Sequence, residues 1–173
     1  FKQLQSKGKE AWMTEFLINW NSNAAVAPRD FLWSTDAFTF FNAVNNAMLA
    51  NTNAWIHYAS KRYYAMLGDG QYGTTSGEIT KRGYILSQFA KYTTGATRVE
   101  CNWNDASNKL LGSSYISAKG DSVMVVIANT STDNYNLTMD LPFYTLGGKK
   151  VSTTETINFS EESIVLSGEA CRP

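Results

Sequence analysis

The chain changes its hydrophobic period near Thr94-Gly95. Upstream, Ala37, Phe40, Phe41, Val44, Ala47 and Met48 recur at i, i+3, i+4, i+7, i+10 and i+11. That spacing lines one face of a helix. Short apolar runs at 10–16 and 54–59 flank it and read as strands. Thr80 caps a second helix whose inner face is Tyr84, Ile85, Phe89 and Tyr92. Ser34, Thr35 and Asp36 offer caps for the first helix, and Asn51-Thr52-Asn53 can end it. The order is strand, helix, strand, helix, which predicts parallel strands joined by crossovers. Downstream only strand patterns remain, at 97–103, 113–118, 123–129, 135–141, 150–156 and 163–166. Turn residues such as Lys119-Gly120-Asp121 and Gly147-Gly148 separate them. Short, evenly spaced strands predict an antiparallel sandwich. The expected class is α+β, with 1–94 as a strand–helix part and 95–173 as a β-sandwich. Two strand–helix units cannot close a barrel or cover both faces of a parallel sheet. Either they are part of a larger α/β domain or they borrow cover from elsewhere.

The charge balance narrows the function. Lys+Arg and Asp+Glu both number 15, giving a formal net charge of zero. A nucleic-acid binder carries a basic excess, and a polybasic membrane patch does too. No nucleic acid and no membrane partner is expected, and no apolar run is long enough to span a bilayer. Cys101 and Cys171 are too few and too far apart for a zinc site. They form one disulfide in an exported chain or stay as thiols. The chain opens at Phe1 without Met and closes at Cys171-Arg172-Pro173, so both ends read as cut.

The chemistry on offer is that of carboxylates and aromatics. His57 is the single histidine, and no nucleophile–histidine pair or phosphate loop is legible. Alternation places His57 with Trp55 and Ala59, as a satisfied structural residue. Trp and Tyr rings suit the apolar C–H faces of sugars, and glycosidic cleavage uses paired carboxyl groups. Glu15 ends the first strand, just before the polar loop at 19–29. Alternation puts it with Ala11 and Met13, opposite Trp12, Thr14 and Phe16. A carboxylate at the C-terminal end of a barrel strand lies where such folds place their active sites. On spacing alone the solvated strand end is the favoured reading of Glu15. Trp20 and Trp33 could stack on sugar, Trp33 reading equally as a staple at the helix start, and Trp103 reads as sandwich core or interdomain packing. Asn129-Thr130-Ser131, Asn136-Leu137-Thr138 and Asn158-Phe159-Ser160 fit the N-glycosylation pattern.

Trp12-Met13-Thr14-Glu15 resembles the nucleophile strand of glycoside hydrolase family 30, closest to its bacterial glucuronoxylan endo-xylanases. Asn45-Asn46-Ala47-Met48 resembles the helix that follows. The family's run Ala-Tyr-Val-Trp-Trp-Tyr-Ile-Arg-Arg-Ser-Tyr lies without a gap on Ala54 to Tyr64. Ile79-Thr80-Lys81-Arg82-Gly83-Tyr84 matches Ile-Ser-Lys-Arg-Gly-Tyr, and Gln88-Phe89-Ala90-Lys91 matches His-Phe-Ser-Lys. Ser114 to Asp121 and Val125 to Asn129 resemble the first sandwich strands. The resemblance runs from Glu10 to about Asn129.

The resemblance implies the last two strand–helix units of a (β/α)₈ barrel followed by a β-sandwich side domain. It implies a secreted, periplasmic or cell-surface retaining O-glycosyl hydrolase acting on plant-cell-wall (glucurono)xylan, without cofactor or metal. Glu15 falls on the nucleophile. The acid/base glutamate belongs to an earlier strand with an Asn-Glu-Pro-like motif, which this chain lacks. A full barrel needs roughly 250 residues. The expected partners are therefore a polysaccharide or oligosaccharide substrate and the missing N-terminal barrel half. The fragment alone is expected to be inactive and to oligomerise through unpaired strand edges. Arg62 and Tyr64 fall on the pair that binds the glucuronate branch. Tyr58 stands where the family has Trp, as an aromatic platform; Leu17 stands where it has Tyr, losing a hydroxyl. Within the family, glucosylceramidase-like and β-1,6-glucanase activities share this strand. Outside it, a non-catalytic carbohydrate-binding module and a structural sandwich stay open.

Overall fold

The computed structural model describes residues 2–17, 36–102, 105, 107–138, 155–160 and 163–167. Of the expected features, Trp20, Trp33, Trp103 and Cys171 lie outside them. The chain divides into two compact units, Phe1–Thr130 and Ser131–Pro173. It is a mixed α+β chain.

The first unit opens with a single helical turn, α1 (Lys2–Gln5), then β1 (Trp12–Phe16), α2 (Asp36–Leu49), β2 (Ala54–His57) and α3 (Lys81–Thr93). β1 and β2 pair in parallel, as the alternation of patterns predicts. α2 forms because its apolar stripe is real: Ala37, Phe40, Phe41 and Val44 are all buried. Asp36 in the first turn suits the positive end of the helix dipole. The helix stops at Asn51, which takes φ +58°. There the Asn51 and Thr52 amides donate to the Met48 and Ala47 carbonyls at 2.8 and 3.0 Å. That double bond pattern with a left-handed residue satisfies the orphan carbonyls of the last turn. Asn53 then clips the helix exit to the start of β1. Its amide donates to the Ala11 carbonyl at 2.8 Å, and its Oδ1 accepts from the Ala11 amide at 2.9 Å.

α3 starts at the expected cap. Thr80 is extended, and its hydroxyl oxygen accepts from the Gly83 amide. The inner face differs from expectation: Arg82, Gly83, Ile85 and Phe89 are buried, while Tyr84 and Tyr92 are half-buried. Phe41 of α2 meets Phe89 of α3 at 5.2 Å between ring centroids, joining the two helices. Phe40 has no exposed surface and contacts Phe16, Trp55 and His57, so α2 covers one face of the β1–β2 pair.

β3 (Thr97–Val99), β4 (Leu110–Ile116) and β5 (Val123–Asn129) form an antiparallel three-stranded sheet in that order. β4 begins three residues before the expected strand. Asp105 is the reason: its carboxylate accepts from the Ser107, Lys109 and Leu110 amides at 2.9, 2.7 and 2.8 Å. It thereby launches the chain into the ladder at Leu110. The Ser107 hydroxyl, which also donates to this carboxylate, and then these amides hold the Asp105 carboxyl down to about 2. β5 has the expected bounds, and Ser117 to Ser122 make the turn before it. Cys101, in the connection from β3 to β4, is exposed.

In the second unit, β6 (Glu155–Ser160) and β7 (Ser163–Ser167) form an antiparallel hairpin. The expected strand at 135–141 is not formed over 135–138; its remainder lies outside the described residues. No helix among the described residues is long and apolar enough to cross a membrane.

Candidate functional site at the end of the parallel pair

The register of β1 on β2 decides where Glu15 points. Met13 is level with Trp55, and Phe16 with His57. Two residues of β1, Thr14 and Glu15, therefore stand opposite the single Ile56. This is a bulge, and it breaks the simple alternation expected from the sequence. Phe16 consequently packs under α2, 5.2 Å from Trp55 and 6.3 Å from Phe40 between centroids. Thr14 and Glu15 are both exposed, alongside Ile56.

β1 and β2 stay tied at this end. The Tyr58 amide donates to the Phe16 carbonyl at 2.9 Å, setting Tyr58 beside the residue that follows Glu15. The chain leaves β2 through a cis Tyr58–Ala59 peptide. Tyr58 is 47% exposed. Its ring runs nearly parallel to Tyr64, 6.3 Å away and tilted by 18°. Tyr64 itself is buried at 8% exposure, so it backs Tyr58 rather than standing open to solvent. Arg62 is exposed, and its backbone is fixed by bonds from its amide to the Leu67 carbonyl and from the Ala65 amide to its own carbonyl. The structure thus gathers Glu15 and Tyr58 at one strand end and strings Arg62 and Tyr64 along the segment that follows. Trp20 lies outside the described residues.

Three residues near this end carried no weight in the sequence reading. Tyr63 meets Tyr64 edge-on at 4.7 Å, and Tyr72 meets Tyr63 at 4.6 Å. Arg82 is 3% exposed, behind the tyrosines at the first turn of α3. Its signal was present as a charge at i, i+3 and i+7 spacing with Ile85 and Phe89. Burial lowers the Arg82 pKa to about 10, and Asp36 opposes that shift.

His57 faces away from Glu15, toward α2, with its ring 5.5 Å from Phe40. It is buried as expected but poorly satisfied: among the described residues neither ring nitrogen makes a hydrogen bond of good geometry, the Ala59 backbone giving only a loose polar contact. Burial first, then the Arg82 charge, lowers its pKa to about 4, with the Ala59 backbone acting weakly the other way. His57 is therefore neutral at pH 7, and it belongs to the packing under the site. Among the described residues no group of three His, Cys, Asp or Glu side chains could hold a metal ion.

No protein-family model matches this chain, and no curated protein matches it.

Proposed function

We propose that this chain is the nucleophile-bearing, C-terminal part of a retaining β-glycoside hydrolase that acts on (glucurono)xylan outside the cell. The observation that carries the reading is Glu15. It is an exposed carboxylate at the C-terminal end of a parallel strand, with an exposed tyrosine hydrogen-bonded in beside it. The family 30 resemblance supports the same assignment.

The chemistry follows from a pair of carboxyl groups. The Glu15 carboxylate attacks the anomeric carbon while a second, protonated carboxyl gives its proton to the leaving oxygen. The two stand about 5–5.5 Å apart in a retaining enzyme. Water, deprotonated by the second group, then releases the sugar from Glu15. The second carboxyl comes from an earlier strand of the barrel, in the N-terminal half that completes this part. The β1–β2 pair has room for such neighbours. Trp12, Ile56 and Tyr58 are 56, 48 and 47% exposed, although parallel sheets are normally covered on both faces. Tyr58 offers its ring to a sugar face. Arg62 offers a planar fork that suits a glucuronate carboxylate. The three-stranded β3–β5 sheet is the start of the sandwich side domain in this reading. A pure carbohydrate-binding module would have no use for a helix-backed parallel pair.

Replacement Glu15→Gln in the complete polypeptide tests it. Xylan hydrolysis falls by roughly a thousandfold or more, while xylo-oligosaccharide binding persists. Turnover close to that of the parent ends the assignment.

A further inference from the structure

The segment from β2 to α3 carries more aromatic surface than the site above uses. Four tyrosine rings form a continuous chain: Tyr58 parallel to Tyr64, Tyr64 edge-on to Tyr63, Tyr63 edge-on to Tyr72. The first three come from one short stretch. Tyr72 reaches the cluster from a separate loop, and the way it does so is informative.

That loop is firmly built. At its base the Gly68 amide donates to the Glu78 carbonyl at 2.8 Å, and the Gly77 amide donates to the Gly68 carbonyl at 2.9 Å. Gly68 has no room for a side chain, since a Cβ there would lie 2.3 Å from the Thr75 carbonyl oxygen. At its tip the Gln71 carbonyl accepts from the Thr74 amide at 3.1 Å and from the Thr74 hydroxyl at 2.8 Å. Asp69 accepts from the Gln71 amide at 3.1 Å. The two central residues of this turn are Tyr72 and Gly73, at φ +48° and +81°. A turn with positive φ at both centres calls for Asn, Asp or Gly first and Gly second. Gly73 obeys; Tyr72 does not. A bulky ring in left-handed backbone is an outlier that local propensity disfavours. Such outliers persist where the surroundings hold them, and they cluster at ligand sites. Here the ring contact with Tyr63 is what the unfavourable backbone provides.

We propose that Tyr72, seated on Tyr63, extends the sugar-binding platform beyond Tyr58, adding a subsite for one further neutral pyranose ring of the glycan chain. The inference rests on the glycosidase reading above and specifies which length of substrate the site prefers. Tyr72 is a specificity residue and takes no part in bond cleavage. The occupant is a pyranose because its C–H face matches an aromatic ring, and because Tyr72 is linked to Tyr58 through the ring contacts of Tyr63 and the buried Tyr64.

The test uses the complete polypeptide carrying Glu15→Gln, so that oligosaccharides are bound but not cut. Xylotriose and xylohexaose are titrated by calorimetry. Tyr72→Asn is the informative variant, because Asn suits the left-handed turn while removing the ring. Its melting temperature is expected to stay equal or rise. Its Kd for xylohexaose is expected to weaken roughly three- to tenfold, the worth of one aromatic contact. Its Kd for xylotriose stays within about twofold, and Tyr72→Phe restores xylohexaose binding. Unchanged affinity for both sugars at unchanged stability overturns the proposal. So does an equal loss for both sugars together with a fall in melting temperature, which marks a structural role. If the parent binds neither oligosaccharide, the glycosidase reading fails and the subsite fails with it.

Discussion

Gly83→Ala is the substitution whose sign separates packing from propensity. Gly83 sits in the first turn of α3. Intrinsic helix preference alone favours Ala there by about 1 kcal/mol. The surroundings say the opposite. A Cβ on Gly83 would lie 2.5 Å from the Met66 carbonyl oxygen and 2.6 Å from Ile79 Cγ1. Favourable carbon contacts start near 3.5 Å, so both overlaps are about 1 Å. Ile79 is partly exposed and can turn away. The Met66 carbonyl cannot do so freely, because it accepts the Thr80 amide at 2.9 Å just before the helix. Overpacking of this kind costs about 1–3 kcal/mol, and loosening that hydrogen bond costs about 1 kcal/mol more. Set against the propensity gain, the net loss is about 1–3 kcal/mol. Urea unfolding followed by circular dichroism reads it as a lower midpoint at unchanged slope. Ala90→Gly, on the exposed side of α3, is the control and loses only about 1 kcal/mol. A Gly83→Ala protein more stable than the parent by about 1 kcal/mol refutes the close approach. It would also undo the account of how Met66 and the tyrosine segment are held.

Thr80→Ala removes two bonds at once, to the Gly83 amide and to the Ala65 carbonyl, and is expected to cost about 1–2 kcal/mol by thermal unfolding. Thr80→Ser keeps most of it. His57 makes the fold acid-sensitive. Its pKa is about 4 folded against 6.5 unfolded, so its contribution is whole above pH 6.5 and is lost as pH falls toward 4. Between pH 7.5 and pH 5 this amounts to about 1–2 kcal/mol once partial screening is allowed for. His57→Phe should flatten that stretch of the stability curve, and an equal slope in both proteins contradicts the assignment. Asp105 does not confuse the measurement, since its pKa near 2 moves its own acid-linked loss below pH 4. In the complete polypeptide, Arg62→Ala should abolish preference for glucuronate-bearing xylan over unsubstituted xylan in a reducing-sugar assay. An unchanged preference removes Arg62 from the site.

Much of the helix-backed pair was legible because it rests on period and capping. The stripe of Ala37, Phe40, Phe41 and Val44 is buried as its spacing requires, and Thr80 caps α3 as its position suggests. The register of β1 was not legible. Strict alternation put Phe16 opposite Met13, but the bulge at Thr14 and Glu15 turns Phe16 under α2. Bulges arise from how two strands fit, and a single strand does not encode them. The start of β4 depended on Asp105 gathering amides several residues away, which reads in sequence as an ordinary polar turn. Arg82 was hidden because a charge on an apolar stripe is usually taken for a solvated position. Tyr63 and Tyr72 were hidden because their contact joins residues nine apart through a loop closed by Gly68 and Gly77. At the site, sequence pointed to Glu15 and Tyr58 at one strand end; the structure adds the second ring pair and places Tyr64 behind Tyr58.

The central claim is that Glu15 forms a bond to sugar. A 2-deoxy-2-fluoro xylobioside with a good leaving group slows breakdown of a glycosyl-enzyme more than its formation. Incubated with the complete polypeptide, digested and weighed by mass spectrometry, it should leave one fluoroglycosyl mass on the peptide containing Glu15, with loss of activity in step. A label on any other carboxylate, or no label in a protein that continues to hydrolyse xylan, contradicts the account.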